Sequence, residues 1–80
     1  MSQQQSVPLS ECTSSAMKNY FNSLDGHQVT DLYELVMSEV ERPFLETVME
    51  YVSNNQTKAA FMLGISRSTL RKKLFKYDLD

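Results

Sequence analysis

A helical pattern of apolar residues from about Asp31 to Ser53 constrains the fold of this 80-residue chain more than any other feature. The first half of the pattern has its apolar residues on one side of a helix: Leu32, Tyr33, Leu35, Val36, Met37 and Val40. The second half has them on another side, about a third of a turn away: Phe44, Leu45, Val48, Met49, Tyr51 and Val52. Pro43 lies at the changeover and predicts a kink. A chain of this length has too little other structure to cover both stripes. We therefore expect a homodimer in which one half of this helix faces a second subunit and the other half faces the C-terminal part of the chain.

Two features mark the region before and at the start of the long helix. A first helix is expected from about Ser10 to Leu24, and Asp25-Gly26 ends it because glycine readily adopts the left-handed conformation. Thr30 or Asp31 is placed to cap the long helix, and Asp31 with Glu34 three residues later predicts a capping-box-like start.

Two short helices are expected after the long one. Asn55 is placed to cap a helix over Gln56–Leu63, and Gly64 permits a tight turn after it. Ser66 is placed to cap the last helix, from Arg67 to about Lys76.

These patterns predict an all-α fold: a four-helix subunit with a long, proline-kinked second helix and a C-terminal helix-turn-helix, assembled as an intertwined homodimer. With two glycines and two prolines, the chain has too few turn residues for an all-β fold. We expect a short disordered N-terminal arm over residues 1–8, dimerisation helices over 9–53 and a DNA-binding module over 54–80.

The composition argues against several other classes of protein. Cys12 is the only cysteine and His27 the only histidine, so no internal disulfide, metal site or His- or Cys-based catalytic centre can be assembled. We expect Cys12 to be buried in the first helix and His27 to lie in a solvated loop. No apolar run reaches the roughly 20 residues of a membrane span, and the start of the chain is not that of a secretory signal. The prediction is a cytoplasmic protein that is not an enzyme and needs no cofactor.

The charges are segregated along the chain. Residues 54–77 contain six basic residues and no acidic one, whereas residues 1–53 contain two basic and eight acidic residues. The net charge of −2 therefore conceals a cationic module on an acidic scaffold. Such asymmetry indicates a polyanionic partner, and we predict double-stranded DNA.

The cationic module has the pattern of a helix-turn-helix. Ala59 and Ala60 are small where two helices must cross closely, and Ile65 follows the turn glycine. The last helix has an inward stripe and an outward polar face. The stripe is Leu70, Leu74 and Tyr77; the outward residues are Arg67, Ser68, Thr69, Arg71, Lys72, Lys73 and Lys76.

The residue types suggest separate roles on DNA. Arg67 lies in the first turn of the last helix, where its planar fork can pair with both acceptors of a guanine. Arg71 can reach a flanking base or a phosphate, and the three lysines suit phosphates. Asn55, Thr57 and Lys58 begin the preceding helix, whose free amides also favour an anion. Ser66 needs no role on DNA to explain its presence, because its side chain can cap the last helix.

Four segments of the chain together resemble the Fis family, the factors for inversion stimulation. They are KNYF at 18–21, DLYELV at 31–36, SEVERP at 38–43 and NQTKAA…LGISRSTLRKKL within 55–74. The resemblance implies a nucleoid-associated homodimer in the bacterial cytoplasm that binds and bends DNA and regulates transcription. It implies degenerate recognition of a guanine and its symmetric cytosine around an AT-rich centre, read mostly through DNA shape.

The resemblance also implies roles for individual residues. The base-reading residues would be Arg67, which reads the guanine, with Arg71 and Ser66. The phosphate-binding residues would be Asn55, Thr57, Lys58, Thr69, Lys72, Lys73 and Lys76. The dimer core would be Tyr20, Phe21, Leu32, Leu35, Val36, Val40, Phe44 and Val48.

The sequence also departs from the family pattern. Ser66 stands where Asn is usual, Phe75 where Lys is usual and Asp78 where Gly is usual. The N-terminal arm is short, so we do not expect a DNA invertase as partner. RNA polymerase is a candidate partner, through Gly26–Thr30 or the turn around Ser53–Asn55.

Two other functions stay open from the sequence. The last third also resembles the C-terminal DNA-binding domain of NtrC-type activators, so the chain could be such a domain by itself. It could instead be a helical oligomerisation module that docks on an acidic protein. Replacement of Arg67 by Ala separates these possibilities, because only the DNA-reading proteins would lose a guanine preference.

Overall fold

The computed structural model describes residues 8–80, and the predicted disordered arm over residues 1–8 lies almost wholly outside them. Four helices make up most of the described chain: α1 (Leu9–Ser23), α2 (Leu32–Tyr51), α3 (Gln56–Leu63) and α4 (Arg67–Lys76). No strand occurs between residues 8 and 80, which confirms the all-α prediction. The chain divides into two compact units, one ending at Thr30 and the other spanning Asp31–Asp80. None of the helices formed by residues 8–80 is long and apolar enough to cross a membrane.

Helix α1 follows Pro8 and contains no buried residue. The rings of Tyr20 and Phe21 contact each other on it, with centroids 6.0 Å apart. The expectation that Cys12 is buried is wrong, because the cysteine is exposed on this helix. The predicted end of the helix is confirmed: Asp25 and Gly26 both have left-handed backbones, with φ of 54° and 83°.

Helix α2 runs without interruption through Pro43. Its predicted capping box is wrong, since Asp31 has a left-handed φ of 57° and its side chain caps no amide. In the usual N-cap the backbone is extended, which points the side chain at the free amides of the first turn. Farther along, the Thr47 hydroxyl donates a 2.8 Å hydrogen bond to the carbonyl of Pro43.

The two halves of α2 lie in different environments, as the rotated apolar pattern predicts, except that Phe44 and Tyr51 of the second stripe are 53% and 78% exposed. In the second half, Leu45, Met49 and Val52 are buried in one cluster with residues of α3 and α4. In the first half, Tyr33 is 76% exposed and Val40 is 53% exposed. The second half of α2 therefore supports the helix-turn-helix, and the first half presents an apolar surface.

Local capping fixes α3 and α4 at the predicted residues. The Asn55 side chain accepts a hydrogen bond from the amide of Lys58 and so caps the start of α3. Gly64 ends that helix with φ of 74°, and its amide donates to the carbonyl of Ala60 at 2.9 Å. Ser66 accepts from the amide of Thr69 and begins α4.

Candidate nucleic-acid interface

Helix α4 separates an apolar inner side from a cationic outer side. Its ten residues span about 15 Å. Leu70 and Leu74 are almost fully buried, at 0% and 1% exposure, and Tyr77 is buried just after the helix. Ala59 and Ala60 of α3 are buried in the same cluster, which confirms the predicted close crossing of the two helices. The cluster therefore fixes which side of α4 faces outward. The exposed residues of α4 are Arg67, Ser68, Thr69, Arg71, Lys72, Phe75 and Lys76.

The two arginines of α4 lie where a recognition helix contacts bases. Arg67 is its first residue and Arg71 lies about one turn later. Both are exposed, and neither forms an ion pair with any residue between 8 and 80. The amides of the first turn of α4 add a partial positive charge beside Arg67. This end of α4 can therefore bind an anion or the electronegative edge of a base.

The hydroxyl of Ser66 is engaged within the protein. It accepts a 3.1 Å hydrogen bond from the amide of Thr69 and donates a 2.9 Å hydrogen bond to the Thr69 hydroxyl. It also lies 3.2 Å from the hydroxyl of Ser68. These contacts fit the capping role, and a base contact by Ser66 stays a prediction. The Thr69 hydroxyl accepts from Ser66, so its own hydrogen stays available for a phosphate.

The start of α3 places three more polar residues on the surface: Asn55, Thr57 and Lys58, all of them exposed. The side-chain oxygen of Asn55 is occupied by the amide of Lys58. The amide group of Asn55 keeps its two N–H donors for an external acceptor. The predicted phosphate contacts of α3 are therefore sterically available.

Lys73 lies apart from the other cations of α4. Its Nζ is 2.8 Å from Oε2 of Glu41 on α2, and its side chain is 35% exposed. The Tyr77 hydroxyl donates a 2.6 Å hydrogen bond to Oε1 of the same carboxylate. The hydrogen bonds from Lys73 and then Tyr77 lower the pKa of Glu41 below its ordinary value of 4.5. The hydrogen bond to Glu41 raises the pKa of Lys73 above 10.5.

Arg42, the next residue of α2, also contacts the end of α4. Its Nη1 donates a 2.6 Å hydrogen bond to the backbone carbonyl of Tyr77. We call Glu41, Arg42, Lys73 and Tyr77 the α2–α4 clamp. Sequence reasoning missed the contacts of Glu41 and Arg42 with α4, although both residues lie in the segment SEVERP at 38–43. The available signal was Tyr77: a tyrosine on a buried stripe needs a hydrogen-bond partner for its hydroxyl.

The residues predicted to form a dimer core are incompletely covered in the single chain. Half-buried are Tyr20, Leu32, Val36 and Val48, and exposed are Phe21, Leu35, Val40 and Phe44. Val48 packs partly against the cluster of buried residues within its own chain. On α2, an open groove beside the clamp is lined by Tyr33, Met37, Val40 and Phe44 together with Glu41 and Lys73.

Phe75 gives the outer side of α4 one large apolar group. It is 76% exposed and lines a shallow depression with Ser68, Arg71, Lys72 and Asp80. Asp78, which follows the helix, has a left-handed φ of 61°. Acidic and apolar groups thus border the cations at the C-terminal end of α4.

The fold and the site together define the class of the protein: a helix-turn-helix protein in which the last helix, α4, is cationic. The chain belongs to the Fis family. Residues 36–77 match the family described as "Bacterial regulatory protein, Fis family". Residues 1–29 match the "DNA-binding protein Fis N-terminal domain". The family resemblance stated from the sequence is thereby confirmed, and the match over residues 1–29 disfavours a detached NtrC-type domain.

Curated relatives agree with the family assignment. The chain is 59% identical over 79 residues to "DNA-binding protein Fis" of Actinobacillus succinogenes, covering 99% of this chain and 80% of that protein. It is 56% identical over 73 residues to the proteins of the same name from Yersinia enterocolitica and an Enterobacter species. Each of these two matches covers 91% of this chain and 74% of the relative.

Proposed function

We propose that this chain binds double-stranded DNA as a homodimer and regulates transcription by bending its sites on the bacterial chromosome. One observation carries the proposal: the outer side of α4 exposes Arg67, Arg71, Lys72 and Lys76. No acidic residue lies between positions 54 and 77 to offset these charges. Phosphates neutralise such a surface and release counterions from the duplex. The names of the relatives, "DNA-binding protein Fis", support the same partner.

The proposed docking places α4 in the major groove with its N-terminal end innermost. Arg67 would then pair with a guanine, and a good bidentate contact contributes about 1–3 kcal/mol of discrimination. Arg71 would contact a flanking base or phosphate. Lys72 and Lys76, with Lys58 of α3, would hold the backbone. One base-reading arginine beside several phosphate-binding cations suits a protein that reads DNA mainly through its shape.

The proposed homodimer rests on the apolar surface of α2. Met37, Val40 and Phe44 line the groove on α2 and are each at least 42% exposed in the single chain. Large apolar groups in one contiguous groove are typical of an interaction site. A second copy of the same helix would cover them and present two α4 helices to one duplex, since closed homodimers are the commonest oligomers. A contact with RNA polymerase, through Gly26–Thr30 or the turn around Ser53–Asn55, stays a prediction.

The direct test compares the binding of two duplexes by fluorescence anisotropy. Both contain an AT-rich centre, and one has the symmetric guanine and cytosine replaced by adenine and thymine. Wild type should prefer the first duplex by about 30-fold or more, the equivalent of about 1 kcal/mol or more from one good base contact in each subunit. Arg67→Ala should abolish the preference.

Lys18→Ala is the matched control, because it removes one exposed cation from α1, outside the helix-turn-helix. This variant should retain the preference for the guanine duplex. If Arg67→Ala keeps the full preference, the proposed role of Arg67 is wrong. If wild type binds neither duplex, DNA is not the partner, and an acidic protein becomes the better candidate.

A further inference from the structure

The clamp joins α2 to α4 through both oxygens of one carboxylate. Glu41 lies two residues before Pro43, and its Oε2 accepts from Lys73 at 2.8 Å. Its Oε1 accepts from the Tyr77 hydroxyl at 2.6 Å. Two donors on α4 and its C-cap therefore converge on one group of α2.

Tyr77 is held at a second point by the neighbouring residue of α2. Arg42 donates to its backbone carbonyl at 2.6 Å. That carbonyl lies at the C-terminal end of α4, where the helix dipole favours a cation. The hydroxyl and the carbonyl of Tyr77 are thus tied to consecutive residues of α2. Because these two hydrogen bonds lie at opposite ends of Tyr77, they oppose both rotation and sliding of α4 against α2.

We infer that the α2–α4 clamp is a positioning element that sets the orientation of the DNA-facing helix, and that Lys73 serves Glu41 rather than a DNA phosphate. This inference rests on the proposed function. Helix α2 also carries the apolar surface proposed to join two chains. A fixed angle between α2 and α4 therefore fixes the separation of the two α4 helices in a dimer.

The charges around Lys73 favour its ion pair with Glu41 over a contact with a DNA phosphate. Glu41 is the one acidic side chain that forms an ion pair with α4 among the described residues, and without a partner its charge would repel a duplex. Lys73 neutralises it at 2.8 Å. If Lys73 turned to a phosphate, Glu41 would keep only the hydrogen bond from Tyr77. The neighbouring Lys72 has no such partner between residues 8 and 80 and is exposed, so it is the natural phosphate ligand.

A charge swap separates positioning from phosphate binding. In the double variant Glu41→Lys with Lys73→Glu, the ion pair and the net charge are both retained, but the Tyr77 hydroxyl loses its acceptor because an ammonium group only donates. Tyr77→Phe, which lacks the same hydrogen bond, is therefore the reference. If Lys73 acts only through Glu41, the charge swap should bind the guanine duplex within about threefold of Tyr77→Phe. If position 73 contacts a phosphate, a glutamate there repels the duplex, and binding should fall by far more. Lys72→Glu is the matched control and should lose binding strongly.

The salt dependence of binding gives a second, independent measurement. Each phosphate contact contributes about 0.9 to the slope of log K against log salt, so loss of one contact in each subunit changes the slope by about 2. Lys72→Gln should show this change. Lys73→Gln should bind more weakly than wild type with an unchanged slope. A slope change of about 2 in Lys73→Gln would overturn the inference.

The spacing between half-sites tests the positioning role itself. Wild type should prefer one separation of the two guanines over duplexes lengthened or shortened by one or two base pairs. Glu41→Ala, with circular dichroism confirming its fold, should flatten this preference, and the charge swap should restore it to the sharpness seen in Tyr77→Phe. An equally sharp preference in Glu41→Ala would show that the clamp does not set the spacing.

The same measurements distinguish this inference from the proposed function. Absence of DNA binding by wild type overturns both. Normal binding by wild type, with a charge swap that binds far more weakly than Tyr77→Phe, overturns only the inferred roles of Lys73 and the clamp.

Discussion

The hydroxyl of Tyr77 donates a 2.6 Å hydrogen bond to the carboxylate of Glu41, 36 residues earlier in the chain. This contact and the ion pair with Lys73 keep the pKa of Glu41 below its ordinary value of 4.5. A carboxyl whose pKa is lowered by folding stabilises the folded state above its unfolded pKa. That stabilisation is lost as the pH falls through the lowered, folded-state pKa.

The first prediction follows from the direction of the pKa shift of Glu41. Between pH 7 and pH 3, wild type should lose more free energy of unfolding than Glu41→Gln does, by up to about 1 kcal/mol because the pair is partly exposed. Urea unfolding followed by circular dichroism at both pH values measures the difference. An equal loss in the two proteins would contradict the role of Glu41. The raised pKa of Lys73 affects only strongly alkaline solutions, where its contribution is lost as the pH rises.

The second prediction concerns the core under α4. Leu74→Ala should lower the free energy of unfolding by about 2–5 kcal/mol, because the side chain is almost fully buried and would leave a cavity. Phe75→Ala, at the next residue, should change it by less than about 0.5 kcal/mol, since Phe75 is 76% exposed. Chemical denaturation measures both. Comparable losses in the two variants would mean that the assigned inner side of α4 is wrong.

The third prediction isolates backbone strain in the turn between α3 and α4. Gly64 has φ of 74°, and a Cβ atom there would meet no other atom within 4 Å. Gly64→Ala should therefore cost about 1–2 kcal/mol through its left-handed backbone alone. Gly64→Asn should cost less, because asparagine tolerates this conformation better. Thermal unfolding of the two variants makes the comparison, and equal destabilisation would point to a steric cause.

The fourth prediction tests the homodimer. Sedimentation at micromolar concentration should give about twice the chain mass of 9.2 kDa. Val40→Asp should shift the protein toward monomer, because it buries a charge in the proposed interface. Phe61→Asp is the control: Phe61 is 87% exposed on α3, outside the proposed interface. A wild-type protein that stays monomeric would remove the explanation for the apolar groove.

Local signals made much of the fold predictable. Asn55, Gly64 and Ser66 act on amides or carbonyls within a few residues, so the bounds of α3 and α4 follow from the sequence. The spacing of Leu70, Leu74 and Tyr77 likewise identified the buried side of α4. The capping box at Asp31 was predicted wrongly. Aspartate is a common capping residue, but its backbone is left-handed here, and residue type alone does not reveal φ.

The features that sequence reasoning missed depend on distant residues. Lys73 looks like the other cations of α4, and only the fold shows that Glu41, 32 residues away, pairs with it. Cys12 follows the apolar spacing of α1, yet it is exposed because α1 buries no residue in the single chain. Periodicity identifies the stripe on a helix but not the surface that covers it.

The salt dependence of DNA binding tests the central claim most directly. Lys58, Arg71, Lys72 and Lys76 would contact phosphates in each subunit of a dimer. Affinity for the guanine duplex, measured from low to physiological salt, should then give a slope of log K against log salt near about −7. A slope shallower than about −3 would contradict the account, because the cationic side of α4 would then release too few counterions to be the DNA-binding surface.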